Sequence, residues 1–113
     1  MTLYGIKNCD TVKKARKWLE QHQQQVVFHD FREDGLTVAD IESWVAHVGW
    51  ETLFNKRSTS YRNLTDAEKS DLNQDKVIAL MLMHPTLIKR PVLVKDDHVF
   101  VGFKPQQYQE IFL

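Results

Sequence analysis

The sequence predicts an α/β domain that opens β-α-β, runs through several helices and closes β-β-α. Three observations carry this reading. The apolar pattern changes from a short strand over residues 3–6 to helical spacing at Val12, Ala15, Trp18 and Leu19, then to a second strand at Val26-Val27-Phe28. The stretch from about 37 to 84 holds helical signals only. The last third returns to Val92-Leu93-Val94 and to residues 98–102 before a final helical pattern.

The first strand stops at Lys7-Asn8, and the helix that starts at Asp10 carries Lys13, Lys14, Arg16 and Lys17 on its solvated face. The polar run of residues 21–25 ends it. Val26-Val27-Phe28 is β-branched and aromatic, and His29-Asp30-Phe31 follows. Two strands joined by a crossover helix of about 12 residues make a parallel unit, right-handed by default. Thr37 and Asp40 resemble a capping box with a short acid, and Val38, Ile41, Val45 and Val48 form a stripe that Gly49 stops. Thr65 and Glu68 make a better box. A further helix over residues 75–83 carries Val77, Ile78, Met81 and Leu82 and ends before Pro85. Asp96-Asp97 is a turn signal between two strands, and Pro105 suits the first position of a last helix bearing Tyr108, Ile111 and Phe112. The helices of the middle read as an insertion within one domain spanning residues 1–113.

Composition bounds the function. The 113 residues balance 15 Lys+Arg against 15 Asp+Glu, so bulk charge does not draw the chain to nucleic acid or anionic lipid. With 42% hydrophobic and 27% charged residues it has the mix of a globular domain, and a chain of this size buries about two-thirds of its unfolded surface. No apolar run approaches the roughly 18 residues of a membrane span, and the opening residues lack the apolar core of a signal peptide. The expectation is a cytoplasmic monomer in a reducing compartment. One cysteine excludes an internal disulfide, a Cys-x-x-Cys pair and a Cys-rich zinc site. The five histidines show no i, i+4 pair, so no metal is expected. With four glycines there is neither a Gly-x-Gly-x-x-Gly nor a Walker-type loop.

Cys9 lies where the first strand gives way to the first helix. There a thiol faces unpaired N–H groups and the positive end of the macrodipole, which favour the thiolate. Lys13 adds positive charge one turn on, and Asp10 subtracts some. Two readings stand: a nucleophile for a disulfide or an oxyanion, or a small buried hydrophobe. Arg90-Pro91 precedes a strand; a strand-start proline with a solvated arginine explains it, and so does a cis proline that aims the arginine. Arg57, with Arg62 nearby, occupies a polar basic segment where arginines are usually only solvated. Trp18 and Trp44 sit on helical faces and read as core, while Trp50 follows a helix stop and is open.

Three blocks together resemble the arsenate reductase (ArsC) family, in its Spx/YffB-like branch. They are Tyr4-Gly5-Ile6-Lys7-Asn8-Cys9-Asp10-Thr11-Val12-Lys13-Lys14-Ala15, Arg57-Ser58, and Lys89-Arg90-Pro91-Val92-Leu93-Val94 with Val101-Gly102-Phe103. The resemblance spans essentially the whole chain. It implies a thioredoxin-like fold with a helical insertion, Cys9 as nucleophile, Arg57 and Arg90 as holders of an oxyanion, and a cis Arg90-Pro91 bond. Three positions depart from the arsenate reductases: Lys104 replaces an arginine before Pro105, Gly5 a histidine, and Val12 a serine. Lysine keeps the charge but loses the bidentate fork. Spx proteins carry a second, switch-forming cysteine at the position of Val12, whereas Gly49 matches a glycine at which they contact RNA polymerase.

The expected function is therefore a glutathione-dependent thiol reductase with a one-cysteine mechanism and no bound cofactor. Glutathione is the co-substrate, with glutaredoxin as an alternative partner. Arg57, Arg90, Lys104 and Lys13 form the anion site, with Asn8, Asp10, Thr11 and Pro91 around the thiol. Two alternatives remain: an arsenate reductase linked to glutathione and glutaredoxin, and a Spx-like regulator without enzymatic activity that binds the α subunit of RNA polymerase.

Overall fold

The computed structural model describes all 113 residues. Its order is β1 (Thr2–Gly5), α1 (Asp10–Gln21), β2 (Val27–Asp30), α2 (Val38–Val48), α3 (Trp50–Leu53), α4 (Thr59–Arg62), α5 (Asp66–Lys69), α6 (Gln74–Met83), a 3₁₀ turn (Pro85–Leu87), β3 (Val92–Lys95), β4 (His98–Val101) and α7 (Pro105–Phe112). The chain divides into two compact units, one of Met1–Gly35 with Arg90–Leu113 and one of Leu36–Lys89.

The first unit holds a mixed four-stranded sheet in the order β2-β1-β3-β4. β1 pairs parallel with β2, Thr2 facing Val27 and Gly5 facing Asp30, and antiparallel with β3, Tyr4 facing Val92. β3 and β4 form the expected hairpin, Val92 facing Val101. Asp96 and Asp97 turn it with φ of 49° and 63°, the left-handed pair that a two-residue hairpin loop demands. Leu3 and Leu93, adjacent on the two central strands, pack with Ala15 and Leu19 of α1 and Tyr108 of α7. Each of these is at least 99% buried, and burying a leucine side chain is worth about 1.5–3 kcal/mol. β2 runs on to Asp30, beyond the predicted Val26-Val27-Phe28, because its parallel pairing extends along all of β1.

Two features of this core are local tests of its packing. A Cβ built on Gly5 would stand 2.8 Å from Cγ2 of Val12, which is wholly buried and, being β-branched, has little freedom to swing aside. Gly5 is thus required by close approach. The hydroxyl of Tyr108 lies in the core among Trp18, Phe103 and Phe112 with no hydrogen-bond partner, and burial pushes its phenol above its ordinary range.

The second unit is helical. Four of its helices are capped by side-chain oxygens: Thr37 accepts from the Asp40 N–H, Ser58 from Tyr61, Thr65 from Glu68 and Asn73 from Lys76. A helix of one turn cannot sustain itself, so caps worth about 1 kcal/mol each matter most for α4 and α5. The Thr65–Glu68 box closes in both directions, whereas Asp40 makes no return bond from its side chain. Gly49 ends α2 with φ of 84°. The predicted stripe needs one correction: Val38, in the first turn of α2, is 46% exposed. Trp44 is buried beside Ile41 and Val45, as its reading as core expects. On α6 Leu82 is exposed and Leu80 buried. At 100° per residue, Val77, Ile78, Leu80 and Met81 span one arc, and Leu82 falls beyond its edge. The basic segment around Arg57 also contains α4, a helix its polar composition did not announce.

Gly5→Ala should destabilise the fold by about 1–3 kcal/mol in denaturant melts, and adding Val12→Ala should lower the further cost below that of Val12→Ala in the wild-type background. Tyr108→Phe should leave the melting temperature equal or higher, because an unpaired buried hydroxyl costs about 1–3 kcal/mol; a clear loss would show that the hydroxyl is satisfied.

Candidate functional site

The sheet register gathers several of the predicted residues at one end of the first unit. β1, β2 and β4 finish there and β3 begins there, since Gly5 faces Asp30 and Val92 faces both Tyr4 and Val101. Cys9 follows β1 by four residues as the N-cap of α1, with φ of −130° and ψ of 125°. Its carbonyl accepts the first helical bond, from the Lys13 N–H at 2.9 Å, but its side chain makes no capping bond. The thiol is free and partly exposed. A buried hydrophobe is therefore the wrong description of it. Asn8, Asp10, Thr11 and Lys13 are exposed around it, while Val12 points into the core against Gly5.

Arg90 and Pro91 reach the same end through β3. The bond between them is cis, as the resemblance implies. The Pro91 carbonyl accepts from the Gly102 N–H at 2.9 Å, extending the hairpin by one rung and bringing Phe103 and Lys104 alongside. Lys104 is exposed as the N-cap of α7, and Pro105 takes the first helical position. Arg90 differs from the other basic groups. Its Nε and Nη1 are buried and neither has a hydrogen-bond partner in the chain. Burying guanidinium nitrogens without an acceptor is costly, and a planar anion satisfies them best. Arg57 belongs to the second unit, where it is exposed and its N–H bonds to Asn55 Oδ1 at 3.0 Å.

Sequence reasoning passed over Asp30. It is 3% exposed and the only charged side chain in the core. Its Oδ1 accepts from the N–H groups of Arg32 at 2.7 Å and Glu33 at 3.1 Å, and its Oδ2 from the Lys7 N–H at 3.0 Å. Burial alone would raise its carboxyl, but those three donors and the Lys7 charge hold it below the usual range. A carboxyl lowered by folding stabilises the fold above about pH 4, and that contribution fades as acid titrates it. Only its place at a strand end before a turn hinted at this, and most such aspartates are solvated. Beside it, Lys7 Nζ meets Glu33 Oε2 at 2.7 Å, which raises the lysine.

The arrangement offers a thiol at a helix start and a guanidinium with two buried, unpartnered nitrogens, both at one end of the sheet. The chain as a whole is similar to known proteins. The chain is similar to the solved YFFB protein, 46% identical over 96% of each chain with a TM-score of 0.93. It is 44% identical to an arsenate reductase (ArsC) related protein of Brucella melitensis, over 98% of this chain and 92% of that one, with a TM-score of 0.80. Among regulators it is 27% identical to the global transcriptional regulator Spx of Bacillus subtilis, over 95% of this chain and 82% of that protein. The family model for ArsC matches residues 4–111, taking in Cys9, Arg57, Arg90 and Lys104 alike, and the chain belongs to the ArsC family.

Proposed function

We propose that the protein is a glutathione-dependent thiol reductase that works through Cys9 alone. The observation that carries this reading is the pairing of a partly exposed thiol at the N-cap of α1 with the buried, unpartnered nitrogens of Arg90 at the same end of the sheet. The Cys9 thiolate attacks a disulfide in which one sulfur belongs to glutathione. Its S–S bond breaks, the other sulfur leaves as a thiolate and takes a proton, and Cys9 is left joined to glutathione. A second glutathione then attacks that bond, releasing oxidised glutathione and restoring the Cys9 thiolate. In net terms one mixed disulfide and one glutathione thiol become the free substrate thiol and oxidised glutathione. With no second cysteine to resolve the intermediate, the second thiol comes from outside the chain, from glutathione or a glutaredoxin, in a reducing compartment such as the cytoplasm.

Arg90 holds a carboxylate of glutathione or of an acidic substrate, with Lys104 as a further cation of the same unit. Lys13 supports the thiolate one turn along α1. Asn8, Asp10, Thr11 and Pro91 shape the rim around the thiol. Arsenate is the weaker substrate: Lys104 lacks the fork that grips an oxyanion, and Gly5 with Val12 puts an apolar contact where arsenate reductases carry polar groups. The Spx relatives favour one other reading, a regulator that docks on RNA polymerase near Gly49. The φ of 84° at Gly49 already accounts for that glycine as a helix stop.

Oxidised glutathione should add one glutathione to the wild-type chain by mass spectrometry, reversibly with dithiothreitol, and none to Cys9→Ser. An inert wild-type thiol would end the proposal. Arg90→Met should slow adduct formation about tenfold or more, the worth of a charge-assisted hydrogen bond, while leaving the melting temperature unchanged or higher. Arsenate, in an assay coupled through glutathione reductase, should consume no NADPH above background. If a chain that shows no glutathione adduct binds the carboxy-terminal domain of polymerase α, the regulator is favoured instead.

A further inference from the structure

We infer that Asp30 is the positioning residue for Cys9, clamping the loop between β1 and α1 by its backbone so that the thiol is presented at the helix start. The inference rests on the reductase reading of Cys9 and adds the residue that sets its geometry. The loop is only Ile6-Lys7-Asn8 long before the N-cap, so the placing of Lys7 sets where α1 begins. Lys7 N–H donates to Asp30 Oδ2, and one residue on from Asp30 the Phe31 N–H donates to the Gly5 carbonyl at 2.8 Å. The loop is thus gripped at Gly5 and at Lys7, both times from the end of β2. Asp30 is itself fixed: its N–H donates to Asp34 Oδ2 at 2.9 Å, and its Oδ1 takes the N–H groups of Arg32 and Glu33. One buried carboxylate thereby ties two turns, 23 residues apart in sequence, into one piece. A carboxylate suits this because each hydrogen-bond partner of its two oxygens is a backbone N–H. The Lys7–Glu33 ion pair spans the same two turns, but more than half of each side chain is exposed, so it adds little.

The division of labour between the two oxygens supplies the test. Asparagine in place of Asp30 has one acceptor oxygen and one donor nitrogen. Keeping the bonds to Arg32 and Glu33 turns its NH₂ toward the Lys7 N–H, donor against donor, and releases the loop alone. Electrostatics by itself predicts the opposite sign, since removing a negative charge favours a nearby thiolate. Cys9 alkylation by iodoacetamide, followed by mass spectrometry from pH 5 to 9, reads the difference without glutathione. Asp30→Asn should slow alkylation at pH 7 at least fivefold and move the pH–rate profile to higher pH. Asp30→Glu, which keeps the charge but misplaces the oxygens, should slow it as well. Lys7→Ala, which removes the ion pair and keeps the backbone N–H, should react within about twofold of wild type. An unchanged or faster Asp30→Asn, a Lys7→Ala loss equal to it, or failure of both Asp30 variants to fold would each overturn the assignment. The two readings fail separately: a wild-type thiol that takes no glutathione ends the reductase proposal, whereas equal alkylation of wild type and Asp30→Asn ends this one.

Discussion

The pairing of β1 with both of its neighbours governs where every other group at the candidate site can be. Thr2–Gly5 is central, parallel to β2 on one side and antiparallel to β3 on the other, and Leu3 faces Leu93 in the core. Strand side chains alternate faces, so a slip of one residue would drive Leu3 out of the core and carry Arg90 away from the end of β1. The same register sets Asp30 beside Gly5, from which its carboxylate reaches Lys7. The burial of a few apolar side chains thus fixes the position of the polar ones, which by themselves have no means of finding each other.

A chain of zero net charge hides marked local asymmetry. Asp30 is buried and fully matched by donors, so it stabilises the structure it sits in. Arg90 has buried nitrogens and no acceptor, so the fold carries an electrostatic cost that a bound anion would relieve. The contrast separates a charged group whose partners lie within the fold from one whose buried nitrogens have none. Gly5 and Val12 illustrate the reverse, an apolar pair whose members are explained by each other. Taken as two departures from the arsenate reductases they are puzzling; taken as one contact they are a single change.

Local signals served well where the physics is local. Thr65 and Glu68 close a reciprocal box, Asp96-Asp97 turns a hairpin, Pro105 opens α7 and Gly49 ends α2, each through bonds within a few residues. Pattern was less dependable for exposure. Val38 and Leu82 carry apolar side chains at plausible spacing and face solvent, because a stripe becomes core only where something covers it. Arg57 stands out as one of two arginines in a basic segment, but its role comes from the resemblance alone, because the segment has no periodicity from which one could be read.

The sequence by itself determined the opening β-α-β and closing β-β-α, the caps at Thr37 and Thr65, the solitary thiol and its place at a helix start, since each depends on propensity, period or composition over a short span. Only the tertiary structure decided that Cys9 is partly exposed, that Arg90 buries its Nε and Nη1 without a partner, that Val12 fills the space Gly5 leaves and that Asp30 holds the loop before the thiol. Those outcomes depend on which side chains are brought together by strand pairing, several of them between segments more than twenty residues apart, and on how much water each loses there. Neither quantity is a property of a short stretch of chain.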